Sequence, residues 1–325
     1  MLTSHRQWRP AAPLENIQLR ARVLARIRAF FSERGVMEVE TPLLSAAAST
    51  DPHLESFASR YSGPLFPAGL TCYLQTSPEF AMKRLLAAGS GPIYQICKAF
   101  RNGEAGKHHN PEFTLLEWYR PGFDQFALMA EVEALVDSVL QSGTAKRISY
   151  RNLFLERAGL DPVAFTVAEA QACLHARGID PPEMSDASLD DWLALILTHV
   201  IEPTLGTGAV FVHDFPASQA MLARLSQTDP PWAERFELYV NGIELANGFH
   251  ELSDAAEQQR RFKQDLQQRQ RLGLSAMPLD DALIEALAAG MPDCAGVALG
   301  IDRLLMLSAG VDSLNETLTF PIDRC

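Results

Sequence analysis

Residues 101–113 read RNGEAGKHHNPEF and lie between two runs of residues that are typical of β-strands. The first run, PIYQICKAFR, covers 92–101, and the second, EFTLLEWYR, covers 112–120. Two strands joined by a polar loop predict an antiparallel pair, and alternation along the second strand places Glu117 and Tyr119 on one face. The loop combines Arg, Lys, His and glycine, a composition that suggests an anionic ligand.

The remaining predicted elements do not follow a strict strand–helix–strand repeat. Helical periodicity predicts helices at 15–34, 78–88, 125–140, 165–177, 188–200, 254–272 and 280–289. Strand patterns predict strands at 36–42 and 210–216, and a strand that leads into a helix over 296–307. This mixture predicts an α+β fold in which helices flank an antiparallel sheet.

The composition indicates an ordinary globular protein with an acidic balance. Its 325 residues carry a net charge of −12, and the sequence pI is near 5.1. Because affinity for phosphate backbones comes from Lys and Arg, this balance argues against a nucleic-acid binder. No apolar run reaches the roughly 18 residues that span a bilayer, and the N-terminus lacks the apolar core of a signal peptide. The five cysteines show no metal-ligand spacing, which favours reduced thiols in a cytoplasmic protein.

A β-hairpin is predicted in the segment FELYVNGIELANGFHE, which covers 236–251. Asn-Gly between two apolar strands is typical of a two-residue turn, so Asn241 and Gly242 are expected to form the loop. The predicted register pairs Val240 with Ile243, Tyr239 with Glu244, and Glu237 with Ala246. The small residues 246–248 suggest that another group approaches the sheet closely there.

Three glutamates recur at seven-residue intervals in this hairpin, at Glu237, Glu244 and Glu251. The predicted register places Glu237 and Glu244 on the same side. Two adjacent carboxylates repel each other unless a cation lies between them, and Mg²⁺ with a nucleotide phosphate suits such oxygen ligands. The alternative is an acidic surface that is simply solvated.

Five segments resemble class II aminoacyl-tRNA synthetases of the lysyl type, in register over about 15–320. GVMEVETPLL (35–44) resembles motif 1, FRNGEAGKHHNPEFTLLEWY (100–119) motif 2, and GVALGIDRLLML (296–307) motif 3. TSPEF (76–80) and GIELANGFHEL (242–252) are also similar to lysyl synthetases. The resemblance implies one catalytic domain over 1–325, with a helical insertion at about 145–205, and a homodimer that meets near Pro42 of motif 1.

In this family the motif 2 loop folds over ATP on an antiparallel sheet. The resemblance therefore implies that Arg101 contacts the α-phosphate and the substrate carboxylate, while Arg303 contacts the γ-phosphate. These two arginines are the expected catalytic residues, since negative charge develops at the phosphate during attack. Phe113 is expected to stack on adenine, and Glu237 and Glu244 to bind Mg²⁺. Further ATP-binding positions implied are Asn102, Gly103, His109, Asn110, Glu244, Leu245 and Gly300.

The resemblance also implies a pocket for a substrate with two ammonium groups and one carboxylate. Glu79 is expected to bind the amino group nearer the carboxylate, beside Ser77, Pro78 and Ala298. Glu251 and Tyr119 are expected to bind the distal ammonium, with the negative charge of Glu117 nearby. A buried acid left unpaired would disfavour substrates with uncharged side chains.

The acceptor is expected to be a protein rather than tRNA. The motif 1 helix begins within about 20 residues of Met1, which leaves no room for the N-terminal OB-fold that grips an anticodon. The chain is similar to short paralogues of lysyl-tRNA synthetase that attach (R)-β-lysine to a lysine of elongation factor P. Ser77 and Ala298 stand where lysyl synthetases usually have Ala and Gly, and both changes resemble the paralogues. Neutral drift is the alternative for each change.

Motif 2 departs from the family pattern at one point. It usually begins Arg-Asn-Glu, whereas this chain reads Arg101-Asn102-Gly103-Glu104, so the glutamate expected to contact the adenine amino group is displaced by one. A backbone contact at Gly103 is the alternative. Other readings of the whole chain are a minimal lysyl-tRNA synthetase, an enzyme that adenylates a free amino acid for another carrier, and a synthetase-like regulator without chemistry.

Overall fold

A computed structural model describes residues 8–182 and 187–325 of the chain. The strands are β1 (Met37–Glu38), β2 (Leu44–Ser45), β3 (Ala58–Gly63), β4 (Phe66–Leu74), β5 (Ile93–Phe100), β6 (Glu112–Pro121), β7 (Lys146–Ser149), β8 (Ala209–Pro216), β9 (Trp232–Val240), β10 (Ile243–His250) and β11 (Cys294–Gly300). The helices are α1 (Leu14–Glu33), α2 (Glu79–Ala87), α3 (Gln125–Leu140), α4 (Tyr150–Arg157), α5 (Val167–His175), α6 (Leu189–Ile196), α7 (Ala255–Arg271), α8 (Asp281–Gly290) and α9 (Ile301–Ala309). Helices together with a mixed, mainly antiparallel sheet confirm the predicted α+β class.

The chain divides into two compact units. The first comprises Met1–Gly122, Ser253–Cys294 and Ala298–Cys325, and the second comprises Phe123–Leu252 and Ala295–Val297. Strand β11 therefore contributes residues to both. The expectation of a single catalytic domain stays a prediction.

In the first unit, β1 runs parallel to β5, and β5 pairs antiparallel with β6 as predicted. A second small sheet has the order β2-β4-β3. Helix α1 buries one face, on which the Phe31 ring stacks against Tyr94 with centroids 4.4 Å apart. The predicted strand at 36–42 is wrong in its extent. Only Met37–Glu38 pairs with β5 as a strand, because Pro42 offers no N–H and the chain leaves for the other sheet.

The second unit contains β10, β9, β8 and β7 in hydrogen-bonded order, with β7 parallel to β8 and the other neighbours antiparallel. Its core includes the stacked pair Tyr150 and Phe154, whose ring centroids are 4.4 Å apart, together with Phe215. Helices α5 and α6 lie where helices were predicted at 165–177 and 188–200, whereas β7 and α4 were not individually predicted. The helical insertion expected at about 145–205 stays a prediction.

Two simple expectations can be compared with this fold. The described part of the chain contains no helix that is both long enough and apolar enough to cross a membrane. Each of the five cysteines is a free thiol, as expected.

Candidate active site

The loop at 101–111 is fixed by hydrogen bonds along its length. The two ends of the loop are joined by a hydrogen bond of 2.9 Å, which Arg101 N–H donates to Pro111 O. The next amide, Asn102 N–H, donates to Glu55 O at 2.8 Å. At the tip, Lys107 O accepts from Leu314 N–H at 2.9 Å. Backbone groups of Glu55 and Leu314, from other parts of the first unit, therefore hold the loop in one shape.

Arg101 lies between an aromatic ring and a carboxylate. Its guanidinium carbon is 5.1 Å from the centroid of the Phe113 ring, and its Nη1 is 3.8 Å from Glu104 Oε1. Both charged side chains are about one third exposed, so this long ion pair is weak and a phosphate could replace the carboxylate. Gly103 has φ +85°, a conformation that a glutamate at this position would adopt only with strain.

Arg303 of motif 3 lies on α9 and contacts the same loop. The preceding residue, Asp302, is buried, accepts from Thr114 N–H at 2.6 Å and pairs with Arg20, which fixes the start of α9. From there Arg303 Nη2 reaches His109 Nε2 at 2.8 Å. Because an arginine only donates, His109 Nε2 accepts this bond. Burial lowers the pKa of the neighbouring His108, and the charges of Lys107 and Arg303 lower it further.

Asn110 and Gly300, which were also predicted to bind the nucleotide, have structural roles. Asn110 is buried, and its side chain uses both ends: Nδ2 donates to Glu112 O at 2.6 Å, and Oδ1 accepts from Ile322 N–H at 3.0 Å. Gly300 is the N-cap of α9 and precedes Arg303 by three residues. Asn110 therefore shapes the loop, and its expected contact with ATP stays a prediction.

The start of α2 carries the residues expected to recognise the substrate amino group. Pro78 is the N-cap, and Ser77 Oγ accepts from Glu79 N–H at 3.3 Å. An alanine at position 77 could not accept this bond, so the serine helps to place Glu79. Glu79 Oε1 lies 2.7 Å from the ammonium of Lys83, whose side chain is 1% exposed. A buried ammonium needs a partner, and Glu79 supplies one.

Strand β6 holds a buried glutamate and a buried tyrosine that are joined by a hydrogen bond. Tyr119 OH donates to Glu117 Oε1 at 2.7 Å, which confirms that these residues share a face. The pKa of the nearby Cys97 thiol is raised to about 12, first by burial and then by the charge of Glu117. On β11, Ala298 is half-buried between the buried neighbours Val297 and Leu299. The expected roles of these residues in the substrate pocket stay predictions.

In the second unit, β9 and β10 form the predicted hairpin with Asn241 and Gly242 as the turn. Tyr239 is opposite Glu244, as expected. The predicted pairing of Glu237 with Ala246 is wrong, because a β-bulge at Leu245 shifts the register and places Asn247 opposite Glu237.

Glu237 lies in a buried network. Arg235 Nη2 contacts its Oε1, and Tyr239 OH donates to its Oε2 at 2.6 Å. Arg235 Nε also donates to Asn247 Oδ1 at 3.2 Å. Burial raises the pKa of Glu237, the charge of Arg235 lowers it, and the charge of Glu244 raises it again. Both carboxylates are therefore close enough to repel each other, as the sequence suggested.

The donor set fits a magnesium ion that arrives with a nucleotide better than a resident metal. No cluster of three or more His, Cys, Asp or Glu side chains suited to a metal occurs within 8–182 and 187–325. Two carboxylates would leave most of the Mg²⁺ ligand positions to phosphate and water, which is how this ion is usually bound with nucleotides. Each oxygen of Glu237 retains a lone pair beyond its present hydrogen bond.

Glu251 follows the end of β10. Its backbone forms an antiparallel bridge with Ala223, and the residue is only 3% exposed. The preceding His250 is also buried, and its Nδ1 lies 2.7 Å from Glu234 Oε2. Adjacent residues in an extended chain point to opposite sides, so the bridge gives Glu251 a fixed direction away from His250.

Comparison with known proteins agrees with this architecture. The model of the family described as tRNA synthetases class II (D, K and N) matches residues 3–324. The chain belongs to the class II aminoacyl-tRNA synthetase family. It is 49% identical to the elongation factor P–(R)-β-lysine ligases of Salmonella typhi and of Yersinia enterocolitica, over 98% of each chain in both comparisons. A ligase of the same name from Salmonella agona is 48% identical over the same share.

The structure brings together the loop residues and Arg303, and it also joins Glu117 to Tyr119 and Glu237 to its neighbours. Two partners of the predicted acids were missed by sequence reasoning, namely Lys83 and Arg235. Both could have been found from spacing, since Lys83 lies four residues after Glu79 on a helix and Arg235 lies two residues before Glu237 on a strand.

Proposed function

We propose that the protein activates (R)-β-lysine, or lysine, with ATP and transfers it to a lysine side chain of translation elongation factor P. The observation that carries the proposal is the attachment of Arg303 to the loop that begins with Arg101, through His109. It holds an arginine of motif 3 against the motif 2 loop, as binding of a triphosphate requires. The 49% identity with a ligase of that name, over 98% of each chain, supports the same reaction.

The first step is displacement at the α-phosphorus. An oxygen of the substrate carboxylate attacks, the bond to the bridging oxygen breaks, and diphosphate leaves with that electron pair. Arg101 is proposed to stabilise the charge that develops on the α-phosphate, and Arg303 the charge on the leaving diphosphate. Mg²⁺ held with Glu237 and Glu244 would supply further positive charge at the phosphates.

The second step forms an amide. The neutral amine of the acceptor lysine attacks the activated carbonyl, the bond to the AMP oxygen breaks, and AMP leaves. An exposed lysine has a pKa near 10.4, so its ammonium must first give one proton to solvent. The departing phosphate can accept the second proton, which leaves the nitrogen as the amide forms. No dedicated catalytic base is required, and His108 and His109 serve the nucleotide.

Substrate selection rests on the buried acids. Glu79 is proposed to bind the amino group nearer the carboxylate, with Ser77 and Ala298 adjusting its place by the one carbon that separates α- from β-lysine. Glu251, Tyr119 and Glu117 are proposed to favour a distal ammonium. A hydrophobic amino acid of similar length would offer no ammonium group to Glu251 and Glu117.

The proposal also covers the acceptor, the cellular compartment and the oligomeric state. The net charge of −12 is unfavourable for the body of a tRNA, which favours a protein acceptor. We place the reaction in the cytoplasm and expect a homodimer.

Exchange of labelled diphosphate into ATP tests the activation step. The purified protein with Mg²⁺ should show exchange that depends on (R)-β-lysine, more weakly on α-lysine, and hardly on norleucine. Exchange with none of them, despite measurable ligand binding, would identify a regulator without chemistry. Ala298→Gly is the matched probe of isomer choice, and it should shift the preference toward α-lysine.

A further inference from the structure

A fully buried arginine lies at the end of α7, in a place that the proposed chemistry does not use. Arg269 is 0% exposed, and its guanidinium makes four polar contacts. Nε donates to Ser275 O at 2.9 Å, Nη1 to Asp51 O at 2.9 Å and to Leu54 O at 3.3 Å, and Nη2 to Glu55 Oε2 at 2.6 Å. Three of these four acceptors belong to the segment 51–55.

The segment 51–55 is irregular and depends on these contacts for its shape. It contains one local backbone hydrogen bond, Leu54 N–H to Asp51 O at 3.2 Å, and it precedes β3. A second link from α7 lies beside it, where Thr50 Oγ1 donates to Asp265 Oδ2 at 2.8 Å. Because a buried guanidinium is costly without partners, Arg269 and the segment stabilise each other in one arrangement.

The segment in turn supports the nucleotide loop. Glu55 uses its side chain to pair with Arg269 and its carbonyl to accept from Asn102 N–H at 2.8 Å. Asn102 directly follows Arg101. The position of the Arg101 backbone is thus linked through Asn102 and Glu55 to a guanidinium in α7.

We propose that Arg269 is a positioning residue that holds 51–55 as a platform under Asn102 and so fixes where Arg101 meets the α-phosphate. The identity of the ligand rests on the proposed function, but the positioning does not. Hydrogen exchange of the free protein therefore tests the positioning without any substrate.

The main comparison is Arg269→Met with the wild-type chain, by hydrogen exchange resolved to the Asn102 amide. Loss of the platform should accelerate exchange at 51–55 and at Asn102 by roughly tenfold or more. Phe154→Leu, a change in the buried core of the second unit, is the control for general loss of stability. When the variants are compared at the same distance from their own unfolding midpoints, Phe154→Leu should leave the exchange rate of the Asn102 amide unchanged.

Two milder variants cover the case in which Arg269→Met does not fold. Arg269→Lys keeps the charge but cannot reach all four acceptors, and Glu55→Gln keeps the carbonyl while removing the ion pair. Both should give intermediate acceleration at Asn102. An Asn102 amide that exchanges at the wild-type rate in all folded variants would overturn the proposal.

Kinetics give an independent readout. In diphosphate exchange the Arg269 variants should raise KM for ATP roughly tenfold, and they should also raise KM for the amino acid, because Arg101 is expected to contact its carboxylate too. A loss confined to kcat, in proportion to unfolded protein, would reduce Arg269 to a structural residue. If the wild-type protein shows no exchange activity, the proposed function fails, while the result at the Asn102 amide still decides the positioning.

Discussion

At the scale of single residues, the acids of the candidate site differ in what already neutralises them. Glu237 is 6% exposed and shares its two oxygens with Arg235 and Tyr239. Glu244 is less buried, and its charge acts on Glu237. We therefore expect Glu244 to contribute more to the binding of Mg²⁺, with Glu237 held in place as the second ligand.

Replacement of Glu244 tests this assignment. Glu244→Gln keeps the size of the side chain and removes its charge, so diphosphate exchange at limiting Mg²⁺ should fall roughly hundredfold. Glu257→Gln, which alters an acid in the first turn of α7, is the matched control and should keep near-normal activity. Near-normal exchange in Glu244→Gln would show that the ion is bound elsewhere.

Replacement of Glu251 tests substrate selection. Loss of a buried charge partner should lower kcat/KM for a lysine isomer by roughly a hundredfold. Norleucine lacks the distal ammonium, so its weak activity should hardly change in Glu251→Gln. Equal losses for both substrates would assign Glu251 a different role.

Residue types were easier to predict than their partners. The sequence indicated that Glu79 and Glu237 matter, but it did not reveal Lys83 or Arg235, because a charge is normally assumed to face water. In the sequence, Ser77 was marked only by the Ala that lysyl synthetases usually have at that position. The structure adds a hydrogen bond from Glu79 N–H, which depends on the backbone at the start of α2 and is not visible in composition.

At the scale of elements, the outcome depends on how clear the pattern of burial is. Helix α1 and the pair β5–β6 were predicted well, since each buries one face regularly. The hairpin β3–β4 was missed because most of β3 is exposed on both sides, so no alternation marks it. The bulge at Leu245 was not predicted, for a related reason. One extra residue leaves the Asn-Gly turn signal intact and changes only the strand pairing beyond it.

The small residues of β10 have a physical explanation within the hairpin itself. A Cβ at Gly248 would lie 2.4 Å from Phe236 Cζ, and Gly248 is the cross-strand partner of Phe236. The group that approaches this strand closely is therefore the aromatic ring of its neighbour. Phe236 is fully buried and packs edge-on against Phe211, so the ring has little room to move.

Substitution of Gly248 tests the close contact with Phe236. Gly248→Ala is expected to lower the free energy of unfolding by about 1–3 kcal/mol through overpacking. Phe236→Leu removes the obstructing ring atoms, so the double variant should be more stable than the sum of the two single losses predicts. Urea denaturation of the four proteins measures the coupling, and strictly additive losses would contradict the explanation.

At the scale of the whole molecule, the family resemblance predicts features that local patterns do not. Motif order over most of the chain identified the family, which the match over residues 3–324 confirms. The division into two compact units was not foreseen, because contacts between distant segments leave no mark in a single sequence. The identity of the acceptor is similarly hidden, and it rests on relatives and on charge.

The oligomeric state is a further prediction at this scale. Because motif 1 ends at Pro42, which meets its twofold mate in the family, the protein is expected to be a homodimer. Light scattering at micromolar concentration should give twice the monomer mass of 35.8 kDa. A mass equal to that of the monomer would contradict this expectation.

The acceptor is the central claim, and one measurement tests it directly. Unmodified elongation factor P is incubated with the enzyme, ATP, Mg²⁺ and either (R)-β-lysine or α-lysine, and its intact mass is followed over time. In parallel, the same reaction with lysine tRNA is assayed for charging. We predict a gain of one lysyl unit on elongation factor P, faster with the β-isomer, and little charging of tRNA. An unmodified elongation factor P beside efficiently charged tRNA would contradict the account and identify a minimal lysyl-tRNA synthetase.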